Sequence, residues 1–246
     1  MMKHFLTLSK ISVFLSVALV LGACSSDNNT EETKTVTFSF EVQADDQPLV
    51  FDDKKYLTPL NQLISFERIN IYVSNVQLKG SSSGDLFIET DSYHLISFDA
   101  ENGTANFEIT NVPATLKVHE IILSIGVDTD ANTSIDHVGD LDPTNGMAWD
   151  WNTGYKFLSL EGRYFDGDEP LGEEIKMHIG TDKNYYSRIF NVGEPVNLKE
   201  KDTFHFLVDG KAPFEHIDLS EGTVFMNDER GDEVAQNYRD GLIILQ

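Results

Sequence analysis

The sequence predicts an all-β fold: a single antiparallel β-sandwich with one long functional loop and a short C-terminal helix. Three observations lead there. Apolar and polar residues alternate with a period of two in one segment after another, as in strands with one face in a core and one in water. Clusters of Gly, Asn and Asp lie between those segments and supply turns. Composition stays uniform over residues 35–246, with no linker to divide them, so one domain is expected.

The N-terminus has a different character. "MMKHFLTLSKISVFLSVALVLGAC" carries Lys3 and Lys10, runs apolar from Ile11 to Leu21, and ends in small residues before Cys24. That is a charged start, a short apolar region and a cleavage site followed by cysteine. The apolar run falls short of the roughly 20 residues a membrane-spanning helix needs. Residues 1–23 therefore read as a lipoprotein signal peptide, with Cys24 the lipidated first residue of the mature chain. Acyl chains would anchor it to the outer membrane without spanning, and the domain would face the periplasm or the cell surface. Residues 24–34, beginning "CSSDNNTEETK", read as a flexible tether.

Cys24 is the only cysteine, so an internal disulfide and a zinc–thiolate cluster are both excluded. The chain has 18 Lys and Arg against 41 Asp and Glu. Without a basic patch to neutralise phosphates, nucleic acid is excluded as a partner. The acidity serves solubility or draws cations.

Taken in order, "KTVTFSFEVQ" puts Val36, Phe38, Phe40 and Val42 on one face. "ERINIYVSNVQLKG" does so with Ile69, Ile71 and Val73, then changes parity to Val76 and Leu78, which predicts a bulge near Ser74–Asn75. "SYHLISF", "TANFEIT", "KVHEIILSIGVD", "YKFLSLEGRYF", "EEIKMHI", "YSRIFNV" and "TFHFLVD" continue as strands. Helical periodicity is confined to "DEVAQNYRDGLIIL" and the stretch around "LTPLNQLI".

One insertion breaks this rhythm. "TDANTSIDHVGDLDPTNGMAWDWNTG" has no clear strand, and loops this long in a compact domain are usually functional or disordered. Asp128, Asp130, Asn132, Ser134 and Asp136 alternate like oxygen ligands of calcium. Thr133 and Gly139, however, stand where an EF-hand needs glycine and glutamate. Asp and Asn also simply make turns. A softer metal is the other candidate: Met147 offers a thioether and His137 an imidazole, a pair suited to Cu(I). His178 faces away from Ile175, Met177 and Ile179, and His205 away from Phe204 and Phe206. Trp149 and Trp151 either cap the sandwich or wall a site. No G-x-S-x-G, H-E-x-x-H or phosphate-cradling glycine motif occurs, which argues against an enzyme.

The segment "GVD … GDLDPTNGMAWDWNTGYKFLSLEG" resembles the central signature of the MbnP family, extracytoplasmic copper-binding β-proteins. The matching residues are Gly139, Leu141, Asp142, Pro143, Gly146, Met147, Trp149, Trp151, Gly154, Tyr155, Glu161 and Gly162. "FERINIYVSNVQLKG", "MHIG" and "FHFLVD" extend the likeness over nearly the whole mature chain. The resemblance implies a copper site in which a tryptophan oxidised to kynurenine joins histidines, with a dihaem cytochrome peroxidase-type partner as the oxidant. Carried over, Trp149 or Trp151 is the modified residue and His178 the matched histidine. Related copper proteins also place a histidine close to the modified tryptophan, whereas Asp150 and Asn152 flank Trp151 here. The expected function is copper storage, scavenging or chaperoning in the envelope. The alternative is a non-metal surface interaction or ligand-binding lipoprotein.

Overall fold

The computed structural model describes residues 31–82, 84–149, 154–167 and 170–246, and within them every side chain but that of Asp240. The leader, Cys24 and Trp151 lie outside the described residues. No helix among the described residues is long and apolar enough to cross a membrane.

Strands β1 (Thr33–Ala44), β2 (Gln47–Pro48), β3 (Tyr56–Leu57), β4 (Leu63–Gly80), β5 (Leu86–Ile88), β6 (Tyr93–Asp99), β7 (Thr104–Pro113) and β8 (Lys117–Ile125) precede the long loop. After it come β9 (Lys156–Phe165), β10 (Glu173–Gly180), β11 (Tyr186–Asn197), β12 (Thr203–Asp209), β13 (Val224–Phe225) and β14 (Ile243–Leu245). The smaller sheet runs β14–β12–β1, with β2 and β7 also paired to β1. The larger follows β11–β8–β4–β9–β10–β13, with β3, β5 and β6 also paired to β4. β1 opens at Thr33, inside the segment read as tether.

Alternation decides which side chains meet. Val36, Phe38, Phe40 and Val42 from β1 share one buried cluster with Ile69, Ile71, Val73, Val76 and Leu78 from β4 and Ile175, Met177 and Ile179 from β10. Phenylalanines thicken it: the Phe38 and Phe107 rings stack at 4.8 Å, and Phe40 and Phe206 at 5.0 Å. Each fully buried Phe, Ile or Leu of this kind contributes roughly 1.5–3 kcal/mol.

β4 organises the larger sheet. Its register slips between Ser74 and Gln77, with Asn75 left-handed at φ 51°, so the expected bulge is present. The slip returns Val76 and Leu78 to the core. β9 pairs with β4 up to Ile71, and β8 pairs with it from Val73 onward.

Pairing is mixed rather than antiparallel throughout. β1 and β12 run parallel, as do β10 and β13. These partners are far apart in sequence, so no hairpin fixes their relative direction. The helical readings also change. α2 spans Glu229–Gly241, capped by Asp228 accepting from the Gly231 amide, but "IIL" leaves it as β14 and pairs with β12. "LTPLNQLI" holds no helix: Leu57 is in β3, Asn61 is left-handed, and the Thr58 hydroxyl accepts from the Gln62 amide in a turn that leads into β4.

Candidate metal centre

The outer face of the larger sheet carries the candidate residues, and a second, smaller core builds one end of it. Tyr72 on β4 and Phe157 on β9 occupy positions that alternation assigns to the outside, yet both are fully buried. They cluster with Val127, Leu141, Met147 and Tyr155, flanked by Tyr93, Leu95 and Tyr185. The loop between β8 and β9 folds down to cover them. It contains α1 (Thr129–Asn132), two short 3-10 turns at Gly139–Leu141 and Pro143–Asn145, and a bridge between Ala148 and Tyr155.

Side chains pin this cover to the sheet. The Tyr72 hydroxyl donates to the Asp140 carbonyl and that of Tyr155 to the Leu141 carbonyl, each at 2.7 Å. Asn132 accepts from the Tyr155 amide at 2.8 Å and donates to Asp182 at 2.8 Å. Gly154, at φ 106°, passes so close to Asn132 that an added Cβ would lie 2.6 Å from Oδ1. Burial pushes the Tyr72 hydroxyl well above its ordinary pKa, so it remains a neutral donor to the backbone.

This arrangement places every expected site residue that lies among those described. Asp128 caps α1 by accepting from the Asp130 and Ala131 amides, and its other oxygen accepts from Tyr93 at 2.7 Å and Asn75 at 3.0 Å. Burial works against its ionisation, but the hydrogen bonds from Tyr93, Asn75 and the two amides hold its pKa below the usual carboxylate value. With Asp128 and Asn132 committed to the fold, and Asp130 and Asp136 exposed, calcium finds no support. Among the described residues, no three His, Cys, Asp or Glu side chains are grouped to hold a metal. Met147 is fully buried in the second core. His137 donates through Nε2 to the Ala131 carbonyl at 3.1 Å, and its ring lies 6.2 Å from that of Tyr155.

Trp149 packs on Gly180 of β10, the strand that carries His178. Trp149 is 5% exposed, and its indole Nε1 donates to the Tyr155 carbonyl at 3.1 Å. The ring presses on Gly180, where an added Cβ would stand 3.0 Å from Nε1 and 3.1 Å from Cζ2. Lys156 places its ammonium 5.9 Å from the ring centre. His178 is two residues before Gly180 on β10, with its side chain on the face opposite the core residues Met177 and Ile179.

Sequence reasoning did not assign a role to the residue that orients His178. Glu161 on β9 meets His178 Nε2 at 2.9 Å through Oε1 and Arg68 on β4 at 2.6 Å through Oε2. The bond from His178 leads in lowering the Glu161 pKa; burial opposes it, Arg68 adds to it, and the result is about 2. An ionised Glu161 can only accept, so Nε2 carries a proton, and in the neutral imidazole Nδ1 is the lone-pair nitrogen. A histidine held by a carboxylate on one nitrogen, with the other left as donor, is the usual preparation of a metal ligand. Glu161 and His178 meet only through the register of β9 on β10, which neither stretch displays by itself.

The same pair makes stability depend on pH. The fold favours ionised Glu161, so its contribution is complete above the ordinary value of 4.5 and is lost as pH falls through about 2. Glu161→Gln should lower stability at pH 7 by up to about 3 kcal/mol. Urea melts of variant and parent should converge between pH 4 and pH 2, and a gap that persists in acid would contradict the assignment.

The model of the MbnP family matches residues 33–228. Among solved structures, the chain is similar to MbnP from Methylosinus trichosporium, with a TM-score of 0.56 and 17% identity over 81% of this chain and 83% of that one. At that identity the likeness speaks for the fold. No curated protein matches the sequence. Because the family match takes in both sheets and the tryptophan-bearing loop, the chain belongs to the MbnP family.

Proposed function

We propose that this protein binds copper in the cell envelope, as a store, scavenger or chaperone that turns over no substrate. The observation that carries this reading is His178, fixed through Nε2 by an ionised Glu161 and standing two residues from the glycine on which Trp149 rests. Membership of a family associated with copper binding supports it, and an imidazole suits copper in either common oxidation state. His178 would hold the ion through Nδ1. Met147, enclosed by apolar side chains, packs the wall of the site, and His137 belongs to the loop that covers it.

Trp149 has only a donor N–H to offer as it stands. Oxidation to kynurenine adds two oxygens across the indole double bond, and hydrolysis then releases formate. The product is an aryl ketone with an aniline nitrogen, and both groups have lone pairs. A dihaem peroxidase-type partner would supply the oxidising equivalents, and Trp151 is the other candidate for the reaction. Lipid on Cys24, after removal of residues 1–23, would tether the domain to the outer membrane.

Intact-mass measurement tests the modification. Protein from its native host should carry the mass change of one converted tryptophan, localised by peptide mapping to Trp149 or Trp151. Recombinant protein made without the partner should carry none. Unmodified tryptophans in both preparations, together with no copper retained by native protein, would favour the metal-free ligand-binding reading instead.

A further inference from the structure

One polar row crosses the outer face of the larger sheet at the level of His178. Register places Ser97 of β6 beside Asn70 of β4, Asn70 beside Ser159 of β9, and Ser159 beside His178 of β10. On one side of this row lie Arg68 and Glu161, and on the other the buried aromatics Tyr72 and Phe157. Adjacent strands are about 4.8 Å apart, so Asn70 and His178 stand roughly 10 Å apart at the backbone. Within the sheet, the short side chain of Ser159, itself 4% exposed, stands between them.

Asn70 has an unusual feature. Its Oδ1 is out of reach of solvent and, among the described residues, has no hydrogen-bond partner. Buried carbonyls are nearly always paired, and an exception in a native fold points to strain, to a functional role or to a water, ion or ligand as partner. The amide lies across Ser159 from the imidazole of His178, whose Nε2 is held by Glu161. We propose that Asn70 is a positioning residue of the copper site, its side-chain carbonyl accepting a hydrogen bond from an N–H or O–H of the ligand set assembled over Ser159 at His178.

This inference rests on the copper reading, and the test separates the two. The full chain is produced in its native host as parent, His178→Ala, Asn70→Leu and Asn70→Asp, and copper(I) affinity is measured by competition with a chelator of known strength. Loss of an outer hydrogen-bond partner costs metal sites 10–100-fold in affinity. Asn70→Leu should therefore weaken copper binding about 10-fold or more, while Asn70→Asp, which restores an acceptor oxygen, stays within about 3-fold of the parent. A second readout needs no metal: the copper-free Asn70→Leu protein should melt at or above the parent temperature, because the substitution removes an unpaired buried carbonyl. If His178→Ala loses copper and Asn70→Leu binds like the parent, the role of Asn70 is overturned and the copper reading stands. If Asn70→Leu melts well below the parent and Asp fails to rescue binding, Asn70 is a structural residue. If His178→Ala binds like the parent, the copper site itself is misplaced and this inference goes with it.

Discussion

His178→Ala should abolish specific copper binding, lowering affinity by more than about 100-fold, well beyond the loss expected for an outer-shell partner. The size follows from the number of groups the substitution disables. It removes the only imidazole in the polar row across β4, β9 and β10. It also leaves Glu161 ionised beside Arg68 with nothing to orient. Stability should fall less than in Glu161→Gln, because Glu161 keeps Arg68 as its partner. Chelator competition beside a thermal melt reads both effects. Unchanged copper affinity in a variant that still folds would refute the site. Glu161→Gln should give an intermediate loss: the ligand remains but its orienting charge is gone.

Gly162→Ala should damage folding severely. Gly162 lies in β9 between Phe66 of β4 and Ile175 of β10, in the middle of the larger sheet. An added Cβ would sit 2.1 Å from the Ser65 carbonyl oxygen and 3.3 Å from the Phe66 Cα. Both are backbone atoms of a paired strand, so the clash cannot be relieved by rotating a side chain. Opening the β4–β9 ladder to make room would cost several backbone hydrogen bonds and the packing beneath them. Losses of that kind are about 4 kcal/mol or more, a large part of the 5–15 kcal/mol that holds a typical domain. The melting temperature should drop by roughly 8–16 °C, and the purified yield with it. Gly103→Ala is the matched control, since nothing lies within 4 Å of its added Cβ and its φ is not positive. A Gly162→Ala protein as stable as the Gly103→Ala protein would show that this close approach is not a constraint.

Much of the architecture was legible in the alternation alone. Residues 36, 38, 40 and 42 face the core as their spacing requires, and the parity change after Val73 marks a real bulge. What alternation cannot carry is partnership. Nothing local tells β1 that it will lie beside β12, or that the neighbour is parallel. The same limit hid the alignment of Glu161, Asn70 and His178, which sit on three strands that only the folded sheet brings into register. One signal was present and under-read. Tyr72 and Phe157 place large rings at positions where an exposed face would put polar groups, and such violations announce a second covered surface. Read that way, Met147 falls naturally among its apolar neighbours, where its thioether packs against aromatic rings.

The parallel embrace of β1 and β12 also governs when the molecule can finish itself. Thr37 waits for Thr203, so one edge of the first strand stays unmated until almost the last segment has been synthesised. Contacts this distant along a polypeptide slow its consolidation. A nascent thread of this kind stays pliable until the strand that mates with its beginning has been made.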